Sequence, residues 1–117
     1  MKENDVIGYG RVSQKRQEKE GFSIPAQVEL IENYAKRNGL NLVKIFTESE
    51  TAKRAGRKAF NEMLSDIKDG KINIVLIKDL SRLGRNYIQM GYFLEDYFPS
   101  LNIRCIAVND NYDSDAT

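Results

Sequence analysis

The chain has 117 residues, 41% hydrophobic and 30% charged, with 18 Lys plus Arg against 17 Asp plus Glu for a formal net charge of +1. That length fits one domain of ordinary soluble composition, no apolar run approaches the roughly 18 residues of a membrane span, and Met1-Lys2-Glu3-Asn4-Asp5 has no signal-peptide core, so a cytoplasmic protein is expected. The absence of histidine excludes a Ser-His-Asp triad and a Cys/His zinc site, and the near-neutral balance means that any nucleic-acid contact must come from local clustering, oligomerisation or a further domain.

In chain order, residues 5–12 hold Val6, Ile7 and Val12 and read as a first strand ending in Tyr9-Gly10-Arg11-Val12-Ser13. Side chains alternate across a strand, so Tyr9, Arg11 and Ser13 share a face. A phenol, a guanidinium and a hydroxyl at a strand's C-terminal end stand where open α/β sheets place ligands; the same residues also fit a plain strand end with a turn serine. A charged loop, residues 14–22, follows. Ser23-Ile24-Pro25 then opens a helix, serine as N-cap and proline in the first turn. Its stripe is Ile24, Val28, Ile31 and Ala35, and Asn38-Gly39 closes it. Gln27 is expected at the edge of that stripe, either as a satisfied core amide or as a donor into a site.

Residues 40–47 read as a second strand and residues 48–56 as a loop carrying Lys53 and Arg54. A second helix over residues 57–69 buries Phe60, Met63, Leu64 and Ile67. Arg57 opens it against the helix-dipole preference, which hints at an anion within its reach. Residues 72–77 form the most apolar strand, as a central parallel strand should be. It runs into Lys78-Asp79-Leu80-Ser81-Arg82-Leu83-Gly84-Arg85-Asn86. A helix starting near Ser81, with Ser81 as its N-cap, would set Arg82 and Arg85 side by side, either around an anion or as surface arginines paired with Asp79 or Glu95. That helix is expected to continue through Tyr87, Tyr92, Phe93, Tyr97 and Phe98, with more aromatic surface than one sheet face needs. Residues 103–108 are the fourth strand and contain Cys105, read as a small buried hydrophobe with a reactive thiol as the alternative. Alternating strands and helices point to an α/β fold with a mostly parallel sheet.

Tyr9-Gly10-Arg11-Val12-Ser13, Gln27, Arg57 and Ser81-Arg82-Leu83-Gly84-Arg85, in this order and spacing, resemble the catalytic domain of the serine recombinases, the resolvase/invertase family. Lys78-Asp79-Leu80-Ser81-Arg82-Leu83-Gly84-Arg85 and Ala107-Val108-Asn109-Asp110-Asn111 are most similar to the large serine recombinases of mobile elements. The resemblance implies a three-layer resolvase-like fold, its mostly parallel sheet of four or five strands flanked by helices. It implies site-specific DNA cutting and rejoining in integration or excision, with Ser13 as the nucleophile that forms a 5′-phosphoserine bond. Arg11, Arg57, Arg82 and Arg85 would hold the phosphate, Gln27 and Tyr9 would support them, and Ser81 would help position the substrate. The implied partners are double-stranded DNA and further copies of the chain, a dimer or tetramer, with no membrane, no small-molecule substrate, no metal and no cofactor, in a prokaryotic cytoplasm. Residues 1–117 would be the catalytic domain only, with the family's long helix and DNA-binding domains beyond it.

The chemistry of the residues agrees with that implication. Phosphoryl transfer is chiefly positioning and charge stabilisation; the sequence offers no compact carboxylate cluster for Mg²⁺ but does offer permanently charged arginines, which grip phosphate bidentately. The chain departs from the family pattern at Ser81 and Glu48, where aspartate is usual, and at Thr51-Ala52-Lys53-Arg54, which lacks a common Ser-Gly. The family's general-acid role at the first of these positions is therefore not carried over. A non-catalytic oligomerisation or docking module is the competing reading, resting on the aromatic stretch and the neutral charge.

Overall fold

The computed structural model describes residues 5–13, 23–50, 58–70, 72–83 and 87–114, with the side chains of Ser13, Ser49 and Glu50 left outside that description. Strand β1 (Asp5–Ser13) leads to helix α1 (Ile24–Arg37), β2 (Asn41–Glu50), α2 (Lys58–Lys68) and β3 (Ile74–Ile77). A 3₁₀ turn (Leu80–Arg82) follows, then helical turns that are α over Tyr87–Gly91 (α3), π over Tyr92–Tyr97 and α again over Phe98–Ser100 (α4). Strand β4 (Arg104–Ala107), a second 3₁₀ turn (Val108–Asp110) and the short β5 (Tyr112–Asp113) complete it.

The sheet order is β2-β1-β3-β4-β5, parallel except for the antiparallel β4–β5 pair. The chain therefore crosses from β1 outward to β2 and back past β1 to β3, and the crevice between β1 and β3 is the point where the winding reverses. Alternation along the strands divides the core. Val6, Ile74, Leu76 and Ile106 face Ile31 and Ala35 of α1. On the opposite face Ile7, Tyr9, Val75 and Ile77 pack with Phe60, Met63 and Ile67 of α2 and with Phe98. The result is the expected three-layer α/β sandwich around a mostly parallel sheet.

Ser23 caps α1 through its hydroxyl and Pro25 sits in the first turn, as its sequence requires. Gly39 and Gly70, at φ 67° and 78°, follow the ends of α1 and α2 in the left-handed region that glycine enters without strain. Strands β3 and β4 are shorter than the sequence reading, and β5 lies in the polar stretch after residue 109. Three further departures are larger. Strand β2 extends to Glu50 because its polar end pairs in register with the end of β1. The segment after β3 opens as a 3₁₀ turn capped by Asp79, not as a helix capped by Ser81. The bond from the Phe98 N–H back to the Phe93 carbonyl marks a π turn just before Pro99. It brings Phe93, Tyr97 and Phe98 into mutual ring contact, with Phe93 edge-on to Phe60. Tyr87 and Ile88 are left 88% and 84% exposed. Cys105 is buried, and burial together with the Asp113 charge pushes its thiol up to about 12, the behaviour of a small hydrophobe.

Helix α1 approaches β1 closely at Gly8, where a Cβ would stand 2.9 Å from Cγ2 of the fully buried, β-branched Ile31. Gly8→Ala is therefore expected to destabilise the fold by about 1–3 kcal/mol through overpacking, read as a lower denaturant midpoint with unchanged slope.

Candidate active site

Pairing of β1 with β3 ends at Tyr9–Ile77, whereas pairing with β2 continues to Ser13–Glu50. Residues 10–13 thus run on beside the β1/β3 crevice without β3 alongside, and buried backbone polar groups there need other partners. For Arg11 they are side chains. Gln27 Oε1 accepts the Arg11 N–H at 3.2 Å, Gln27 Nε2 donates to the Arg11 carbonyl at 3.1 Å, and Arg82 Nη1 donates to the same carbonyl at 2.9 Å. Gln27 is fully buried and lies against Gly10, where a Cβ would come within 3.1 Å of Gln27 Oε1. Gln27 meets the backbone just before Ser13 with both ends of its amide.

The bond from Arg82 is answered from the other side. Arg11 Nη2 donates to the Ser81 carbonyl at 3.1 Å, so β1 and the 3₁₀ turn after β3 brace each other with one guanidinium apiece. Arg82 is 7% exposed and lies 3.5 Å from Asp79 Oδ2. Lys78 joins the cluster, 3.8 Å from Asp79. Its ammonium is held below its usual range by burial first and by the Arg82 charge second, with Asp79 pulling the other way. Ser81 gives both its backbone N–H, at 3.1 Å, and its hydroxyl to Asp79 Oδ1.

Tyr9 lies beneath the site, fully buried, edge-on to Phe60 with ring centroids 5.1 Å apart. Its hydroxyl donates to Glu48 Oε2, and Glu48 Oε1 accepts the Ala59 N–H at 3.0 Å in the first turn of α2. A carboxylate is favoured at that positive helix end. Glu48, whose part was open in the sequence, therefore ties the β1 phenol to the start of the helix that Arg57 precedes.

The structure brings Arg11, Gln27, Arg82 and Ser81 into direct contact and sets Tyr9 one layer below. The Ser13 backbone ends β1 two positions beyond Arg11; its side chain, and Arg57 and Arg85, lie outside the described residues. Lys78 was not singled out as a site residue, and Asp79 was named only as a surface partner for an arginine. The available signal was a Lys-Asp pair directly after a wholly apolar strand, with Asp79 two residues before Ser81 in the spacing of an Asx turn. Among the described residues no three His, Cys, Asp or Glu side chains gather as a metal site, and no helix is long and apolar enough to cross a membrane.

Comparison with known proteins follows the same lines. The family model "Resolvase, N terminal domain" matches residues 6–117. The N-terminal catalytic domain of TP901-1 integrase is similar at 30% identity and a TM-score of 0.85, over 97% of this chain and 84% of that one. A resolvase family site-specific recombinase from Streptococcus pneumoniae is 32% identical with a TM-score of 0.79, over 97% and 77%. The C-terminal catalytic domain of ISC1926 TnpA, an IS607-like serine recombinase, shares the fold at 23% identity and a TM-score of 0.72, over 89% and 70%.

Gln27→Ala removes both side-chain bonds to Arg11 at a buried position. The Arg11 carbonyl keeps Arg82 Nη1, so a loss of about 1–3 kcal/mol is expected, chiefly from the Arg11 N–H that loses its acceptor. Faster hydrogen exchange at the Arg11 amide, with the amides of β3 still protected, would locate the defect.

Proposed function

Because the chain belongs to the resolvase N-terminal domain family of serine recombinases, we propose that Ser13 is the nucleophile that cuts DNA and that the arginines around it hold the scissile phosphate. The chain is the catalytic domain of a DNA recombinase enzyme; the residue roles are our reading. Ser13 Oγ loses its proton and bonds to phosphorus as the bond to the 3′-oxygen breaks. The departing 3′-oxygen gains a proton, and the 5′-phosphate stays on the serine. The linkage is a phosphodiester like the one it replaces, so attack by a 3′-hydroxyl of the partner strand reverses the step without ATP.

Charge builds on the non-bridging oxygens during that transfer, and fixed cations aimed at them supply most of the catalysis. The observation that carries the reading is the mutual brace of Arg11 and Arg82 at the C-terminal end of β1, at the winding reversal of the sheet. Arg57 and Arg85 are proposed to complete the phosphate grip. Tyr9 and Gln27 hold the strand that carries Ser13, and Ser81 orients the substrate beside Arg11. Double-stranded DNA is the substrate, and a dimer or tetramer is the working form. The outward aromatic and aliphatic surface of Tyr87, Ile88 and Tyr92 supports self-association. A net charge of +1 supports weak, sequence-blind DNA binding by these residues alone.

Replacing Ser13 by Ala in the intact protein should abolish the covalent protein–DNA adduct on a suicide duplex carrying its crossover site; an adduct that persists refutes the assignment. Arg11→Ala should slow cleavage by roughly 10³-fold or more with little change in DNA affinity, as for a transition-state arginine. Parallel loss of both would mean that Arg11 only binds.

A further inference from the structure

We propose that Asp79 is a positioning residue of the cleavage reaction, setting the 3₁₀ turn and the Arg82 guanidinium in place against β1. The proposal rests on the reading of Arg82 as a cation of the site.

Three observations lead to it. A single 3₁₀ turn has little strength of its own; here it consists of the Arg82 N–H on the Asp79 carbonyl and the Leu83 N–H on the Leu80 carbonyl, at 3.2 and 3.1 Å. Its first two amides point out of the turn, and each meets a carboxylate. Asp110, from the turn after β4, accepts from the Leu80 N–H at 2.7 Å, and Asp79 accepts from the Ser81 N–H at 3.1 Å. Asp79 alone also reaches the side chains, taking the Ser81 hydroxyl on Oδ1 and facing Arg82 Nη2 across 3.5 Å with Oδ2.

The second consideration is charge. Arg82, Arg11 and Lys78 converge around this turn, and their mutual repulsion favours swinging the guanidinium groups outward. Asp79 lies within 4 Å of both Lys78 and Arg82 and offsets that repulsion from behind. It does so at 21% side-chain exposure, where screening is incomplete. The third is leverage. The Arg82 side chain leaves this turn to reach the Arg11 carbonyl, so a small rotation of the turn withdraws Nη1 from the strand that ends in Ser13. Asp79 thus acts through Arg82 and Ser81, without touching the phosphate.

The test compares Asp79→Asn and Asp79→Ala in the intact protein, singly and combined with Arg82→Lys. Single-turnover adduct formation is measured on the suicide duplex at saturating DNA, and affinity by gel shift. Asp79→Ala should slow adduct formation by about 10²-fold at unchanged affinity, the loss typical of a misplacement of about 1 Å. Asp79→Asn, which keeps an acceptor for the Ser81 amide but removes the charge, should fall between Ala and the parent. It carries the test if the Ala variant does not fold. With Arg82→Lys already present, either change should cost much less than it does alone, because the residues act as a unit. Full additivity, an unchanged rate, or a loss confined to DNA affinity would overturn the proposal. If Arg82→Lys and Arg82→Ala both cleave like the parent, the reading of Arg82 fails instead, which separates the two.

Discussion

The site depends on how the backbone of one residue, Arg11, is held. Strand β1 outlasts β3 at the crevice, and Arg11 sits where the neighbouring strand has stopped. A bare strand edge at this depth needs donors and acceptors, and a carboxamide is the side chain that offers both in the manner of a peptide. Gln27 does for Arg11 what one more residue of β3 would have done, and Arg82 adds a charged donor to the same carbonyl. The strand can therefore continue to Ser13 as strand, still paired with β2 on its other side.

From that grip follows the distribution of cost around the site. A fully buried glutamine is tolerated because both ends of its amide are used. A cluster of cations is tolerated because Asp79 sits behind it and because Arg11 and Arg82 each place a terminal nitrogen on a backbone carbonyl. Lys78 is held below its usual range by burial first and by the Arg82 charge second. Overall charge was uninformative here. A net +1 says nothing about three cations drawn to one strand end from positions about seventy residues apart, as the 71-residue separation of Arg82 from Arg11 makes plain.

That separation also explains what the sequence could and could not reveal. Signals that act within a turn or a strand were readable: Ser23 and Pro25 at the head of α1, the all-apolar β3, and the stripe of Phe60, Met63 and Ile67 on α2. The face shared by Tyr9 and Arg11 followed from alternation alone. Features set by partners elsewhere in the chain were not readable. Strand β2 reaches Glu50 because β1 is there to pair with it, a tertiary effect that its polar residues do not advertise. Asp79 outcompetes Ser81 as the cap since its longer side chain spans back over the turn while also facing Arg82. Glu48 meets Tyr9 only because its strand lies beside β1.

The two supports beneath the end of β1 differ in kind. On the α1 face, Gln27 grips the backbone of Arg11. On the crevice face, the brace is made of guanidinium groups resting on neutral carbonyls. A guanidinium bond to a carbonyl is already charge-assisted, and a phosphate adds an opposite charge and a bidentate match to the same donors. If Arg11 holds the scissile phosphate as proposed, that phosphate would take over Arg11 Nη2 from the Ser81 carbonyl. Arg82 is less free to leave, held at once by the Arg11 carbonyl and by Asp79. The arrangement thus divides the labour between the two arginines. Under the proposed reading Arg11 would swing onto substrate, whereas Arg82, which ties the strand to the turn, would contribute its charge from a fixed place.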